Sequence, residues 1–138
     1  FFNSEYLWAW WLTAQANPNT LFYAYTKSLR YWVDIVNEMP ILNNFVLTAS
    51  RGGSTDDMID EHNLRSTTVV FSEAEAEKLG LEIDHDDSHA ARPSLRNQDF
   101  ALLIHGTQPK GSDAAVALRA LKGKGSYSRK KNKALAIA

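Results

Sequence analysis

Phe45-Val46-Leu47-Thr48-Ala49-Ser50-Arg51-Gly52-Gly53-Ser54-Thr55-Asp56-Asp57 carries three signals in one run. Phe45 to Ala49 is short, apolar and β-branched, the composition of a buried strand. Two glycines then break it. Ser54 or Thr55 next offers a helix N-cap, with Asp56 and Asp57 placed in the first turn where a carboxylate suits the helix dipole. Strand, glycine loop and helix in succession are the unit from which α/β folds are built.

The same alternation extends to both sides. Upstream, Tyr6, Leu7, Trp10, Trp11 and Ala14 recur at helical spacing behind Ser4 as N-cap, and Asn17-Pro18-Asn19 ends that helix. Leu21 to Tyr25 reads as a strand, and Leu29, Trp32, Val33, Ile35 and Val36 as a second helix face stopping before Pro40. Downstream, Thr67 to Phe71 is a β-branched strand. Ser72 caps a short helix over Glu73–Leu79, with Glu75 at the capping-box position and Gly80 as the stop. Residues 81–98 show no periodicity and read as a long loop. Phe100 to His105 is the next strand, and a helix follows around Ser112–Leu121.

The expected fold class is therefore α/β: alternating helices and about four parallel strands, as an open sheet or a partial (β/α) barrel. A helix-first start without an initiator methionine reads as a fragment of a larger fold, with a strand expected before Phe1. The organisation expected is an α/β domain over residues 1–122, incomplete at its N-terminus, and a basic, disordered tail over 123–138.

Composition excludes several chemistries. The chain has no cysteine, which removes disulfides, thiolate zinc sites, cysteine nucleophiles and cysteine-held iron–sulfur clusters from it. No apolar run approaches the ~20 residues that span a bilayer, so no membrane partner is expected. Net charge is −1, unevenly spread. Residues 114–138 hold seven basic side chains and no acidic one, while the other eight basic residues face all sixteen acidic ones, leaving residues 1–113 at −8. Lys122, Lys124, Arg129, Lys130, Lys131 and Lys133 are thus candidates for contact with a nucleic-acid backbone; the alternative is a solvated tail.

In a parallel sheet, ligands meet the loops after the strand C-termini. Thr26 and Lys27 follow one strand, and Ser50, Arg51, Gly52 and Gly53 follow the next, so these six, with Lys110, are the candidate anion-binding residues. Thr26 as a plain helix cap, and Gly52-Gly53 as a plain tight turn, are the competing readings. Gly106 to Ser112 fails the phosphate-loop pattern because its lysine precedes the glycine and the loop is too short. His105 reads as packed or hydrogen-bonded rather than catalytic. Asp84, His85, Asp87 and His89, with Asp86, form the densest set of potential metal ligands, although no regular element is expected to hold them. Trp8, Trp10, Trp11 and Trp32 mainly pack the core. Trp8 makes the first helix apolar around its circumference and leaves it open to self-association or a host protein.

Phe2-Asn3-Ser4-Glu5-Tyr6-Leu7-x-x-Trp10, Phe22-Tyr23-Ala24-Tyr25-Thr26-Lys27-Ser28, Asp84 to His89 and Ala101 to Gly111 together resemble the bacteriophage "gene product 88" family over most of the chain. The resemblance implies phage origin and action in the cytoplasm of an infected host cell. It also implies upstream sequence with a histidine–aspartate–serine–glycine–aspartate run and a cysteine-bearing segment. That arrangement is similar to phage proteins with a radical S-adenosylmethionine-like barrel. The implied cofactors, S-adenosylmethionine and an iron–sulfur cluster, belong to a full-length parent and not to this chain. Two functions are left open: part of a radical-SAM-like domain binding an anionic ligand at its strand ends, or a non-enzymatic nucleic-acid or host-protein binding module.

Overall fold

The computed structural model describes residue 1 and residues 3–126, Pro93 in its backbone alone. In chain order they form α1 (Ser4–Ala16), β1 (Phe22–Thr26), α2 (Leu29–Glu38), β2 (Phe45–Ser50), α3 (Asp57–Glu61), β3 (Ser66–Val70), α4 (Glu73–Leu79), β4 (Glu82–Ile83), α5 (Ser88–Ala91), β5 (Phe100–Leu103) and α6 (Asp113–Ala120), with a 3₁₀ turn at Pro93–Leu95. The strands make one sheet in the order β1-β2-β3-β5-β4. It is parallel from β1 to β2 and from β2 to β3, with Phe22 opposite Phe45 and Thr26 opposite Ala49. That order has two ends, so the α/β fold is the open-sheet alternative, with five strands where four were expected.

The additional strand lies where a loop was expected. Residues 81–98 hold β4, α5 and the 3₁₀ turn. Each is only two to four residues long, too short for a hydrophobic period to build up in sequence.

The chain divides into two compact units, described separately. One comprises Phe1–Thr68 with Asp87–Phe100; the other comprises Val69–Asp86 with Ala101 onward.

In the first unit α1 buries Leu7, Trp11 and Ala14, one stripe at spacings of four and three. Tyr6, Trp8, Trp10 and Leu12 stay roughly two-fifths exposed. Trp8 is not bare, because its ring stacks on Trp11 with centroids 6.0 Å apart. The N-cap is Asn3 rather than Ser4: the Asn3 Oδ1 accepts from the Tyr6 amide at 2.9 Å. Leu7, Trp11, Ile35 and Leu47 form one buried cluster, and Leu29, Ala49 and Ile59 another. Leu47 and Ala49 are two apart on β2 and share a face, so α2 rests one end on each cluster.

Asn44 ties α1 to the start of the sheet. Its side-chain Nδ2 reaches the carbonyls of Ala14, Asn17 and Thr20 at 2.9–3.0 Å, and its own carbonyl accepts from the Phe22 amide at 2.7 Å. Two amide hydrogens serve three carbonyls, so one is shared.

In the second unit Val70, Ala76, Ala101 and Leu103 form the core. Ser72 Oγ accepts from the Glu75 amide, and Glu75 Oε2 reaches back to the Phe71 amide at 2.7 Å. Gly80 ends α4 at φ 68°, in the left-handed region that a residue without Cβ adopts at little cost. The chain stays packed beyond the expected domain boundary. Ser126 is fully buried, its Oγ donating to the Asp84 carbonyl at 2.6 Å and accepting from the Leu103 amide at 2.9 Å.

Replacing Asn44 tests the α1–sheet tie. At about 1 kcal/mol per net hydrogen bond, Asn44→Ala is expected to lose about 2 kcal/mol in urea unfolding followed by tryptophan fluorescence. Asn44→Asp is expected to lose more at neutral pH, because it sets a carboxylate against three carbonyl oxygens.

Candidate functional site

Parallel pairing of β1 with β2 brings the loops after both strands to the same edge. Lys27 crosses from one to the other: its Nζ donates to the Ser50 carbonyl at 3.0 Å and the Arg51 carbonyl at 2.6 Å. Thr26 is buried, and its Oγ1 accepts from the Ser28 amide at 2.9 Å. The hydroxyl therefore closes a turn ahead of α2; the N-cap of that helix is Ser28, with no side-chain capping bond, so Thr26 is not its cap.

Arg51 spreads its guanidinium over two partners. Nε donates to Ser66 Oγ at 3.1 Å and Nη2 to Asp60 Oδ1 at 2.8 Å. The hydrogen bond to Asp60 raises the Arg51 pKa, outweighing the opposing effect of burial, so the group stays charged at any pH the fold survives.

The glycine pair is occupied by the protein itself. Asp56 Oδ2 accepts from the Gly52 amide at 2.7 Å, and Oδ1 from the Gly53 amide at 2.9 Å. Glycine is favoured here on two counts. Gly52 has φ 91°, and a Cβ on Gly53 would lie 3.3 Å from Asp56 Oδ1. Desolvation pushes the Asp56 carboxyl upward, but the two amide bonds and the charges of Lys27 and Arg51 outweigh it and hold its pKa below the ordinary carboxylate value. Asp56 was expected only to favour a helix start. Its side chain makes no capping bond to α3 and turns back to the glycines instead.

The candidates thus fall into two groups. Thr26, Lys27, Ser50, Arg51, Gly52 and Gly53 gather at one edge, joined by Asp56, Asp60 and Ser66, which the sequence reading left out. A carboxylate three and four residues beyond two consecutive glycines was the available signal. Lys110 belongs to the other unit, exposed on the loop before α6.

The His/Asp run does not assemble as a metal site. Among the described residues, no three His, Asp or Glu side chains come together to hold a metal ion. Three of the potential ligands have other roles. Asp84 is buried, and its Oδ1 accepts from the Asp86 amide. Asp87 accepts from the Tyr23 and Tyr25 hydroxyls at 3.0 and 2.9 Å. His89 is buried against Phe100, ring centroids 4.7 Å apart, and His85 is exposed. Asp87 itself sits at φ 64°, in the left-handed region. An iron–sulfur cluster does not fit these residues either, since the chain has no cysteine. His105 Nδ1 donates to the Leu103 carbonyl at 3.0 Å. Lys122 and Lys124 are exposed, while Arg129, Lys130, Lys131 and Lys133 lie outside the described residues.

A pH series tests the Asp56 contact. Because its folded pKa is depressed, its contribution to stability is full above the ordinary carboxylate value and is lost as pH falls through the lower folded value. The stability gap between the native chain and Asp56→Asn is expected to be constant from pH 7 to 5. It should then close on acidification below pH 4, as measured by urea midpoints.

Neither curated proteins nor solved structures give a significant match to this sequence. A family model described as Gene product 88 matches residues 1–129. No helix among the described residues is long and apolar enough to cross a membrane. With nearly the whole chain covered by the match, and with the Phe22-to-Ser28 run forming the β1 strand and the loop that carries Lys27, the chain belongs to the Gene product 88 family of phage proteins.

Proposed function

We propose that this domain binds a small phosphate- or carboxylate-bearing ligand at the loops following β1 and β2. The supporting observation is the grip on Asp56: two adjacent amides converge on one carboxylate beside Lys27. Backbone N–H groups arranged in this way suit any compact anion, and Asp56 stands in for the ligand's charge. Binding is then an exchange. The ligand displaces the Asp56 carboxylate, takes the Gly52 and Gly53 amides, and draws Lys27 from its two carbonyls. Arg51 holds the loop in shape through Asp60 and Ser66 while this happens.

An exchange site has modest affinity, because the internal carboxylate competes at high effective concentration. Removing it should strengthen binding. In amide-resolved NMR titrations with inorganic phosphate, Asp56→Ala is expected to shift the Gly52 and Gly53 signals at about tenfold lower phosphate than the native chain, a difference of about 1.4 kcal/mol. Adding Lys27→Met should weaken that response. Gly52 and Gly53 signals that stay still in both the native chain and Asp56→Ala would overturn the proposal.

A further inference from the structure

A second feature of the first unit lies at the start of β2 and ahead of β3. Between α1, α2 and the segments entering β2 and β3 is a groove of about 470 Å³, within the range of small-molecule sites. Trp11, Trp32, Met39 and Leu42 form its apolar wall. Trp11 is held in place by its indole N–H, which donates to the Pro40 carbonyl at 3.2 Å. Ile41 and Val36 also line the groove while remaining 83% and 42% exposed. These apolar side chains are left in water beside a concavity that could shelter them.

The charges around the groove have one sign. Arg65 and Arg96 line it, with Asn43, Asn63 and Asn97, and no aspartate or glutamate does. This is unusual for a body in which sixteen acidic residues face eight basic ones. The Arg65 guanidinium is set over the Phe100 ring, 5.1 Å from its centroid. Arg96 has a different environment. Its Nη1 donates to the Asn43 carbonyl, a neutral acceptor, and its Nε is buried without a hydrogen-bond partner. Among the described residues it forms no ion pair. A partly buried guanidinium with no carboxylate opposite it is a costly arrangement unless an anion completes it.

We infer that this groove takes an amphipathic carboxylic acid, its carboxylate on Arg96 and its apolar body against Trp11, Trp32 and Ile41. The anion supplies the missing countercharge, and the hydrocarbon covers side chains that the fold leaves exposed. This site is independent of the β1–β2 loops, so either proposal can fail without the other.

Octanoate, octan-1-ol and octylammonium share one chain and differ in head charge. In titrations of the native chain followed by tryptophan fluorescence and indole N–H shifts, octanoate is expected to perturb Trp11 and Trp32 at concentrations at least about tenfold below either analogue. Arg96→Met should bring octanoate to the level of octan-1-ol while leaving octan-1-ol unchanged. Equal binding of octanoate and octan-1-ol by the native chain would overturn the inference, as would silent Trp11 and Trp32 signals at saturating octanoate. The ligand series needs no variant, so it decides the matter even if Arg96→Met fails to fold.

Discussion

The carboxylate of Asp56, held by two neighbouring glycine amides, organises the strand-end loops of the first unit. It fixes the Gly52–Gly53 turn in a conformation that presents the carbonyls of Ser50 and Arg51 to Lys27. Lys27 in turn fastens the loop after β1 to the loop after β2. Arg51 extends the same turn in the other direction, to Asp60 on α3 and Ser66 at the start of β3. One loop thereby links three strands and a helix through charge-assisted bonds, a class worth about 1.5–3 kcal/mol each when well formed and less where water competes. The chemistry that makes the loop a candidate ligand site is the same chemistry that shapes it.

The two ends of β2 handle charge differently. After it, Lys27 and Arg51 have acceptors supplied by the chain: backbone carbonyls for Lys27, a carboxylate and a hydroxyl for Arg51. Before it, Arg96 has only a backbone carbonyl and stands beside apolar side chains that remain partly in water. Self-satisfaction at one end and incompleteness at the other have separate energetic consequences. The first resists ligands unless they outcompete an internal group, whereas the second leaves a cost that a ligand would relieve.

Much of this fold was legible because burial follows period. The 45–49 run, the α2 stripe and the Ser72–Gly80 helix have enough residues for strand or helix periodicity and end signals to agree, and they occur where expected. The 81–98 stretch did not read correctly, because β4 and α5 are shorter than the period that would betray them and rest on tertiary bonds such as Asp84 N–H to Ala101 O. Candidate residues followed the same division. Positions after strands could be listed from sequence, so Lys27 and Arg51 could be placed on the loops after β1 and β2. Their partners could not, because Asp60 and Ser66 meet Arg51 only after the chain has folded back. The apparent metal cluster was a sequence adjacency that Asp87, committed to Tyr23 and Tyr25, does not turn into a spatial one. The Arg96 groove was invisible for the same reason: its walls come from segments more than fifty residues apart.

Ser126 alters how the basic C-terminal segment has to be studied. Its hydroxyl satisfies an amide and a carbonyl inside the second unit, so those few atoms belong to the interior rather than to any appendage. Shortening the chain ahead of this residue would strip charge and open a packed core in one stroke, and a lost interaction with DNA or RNA would have two explanations. A cut placed immediately after Ser126 keeps the plug in its socket and removes residues 127–138, whose charged side chains are Arg129, Lys130, Lys131 and Lys133.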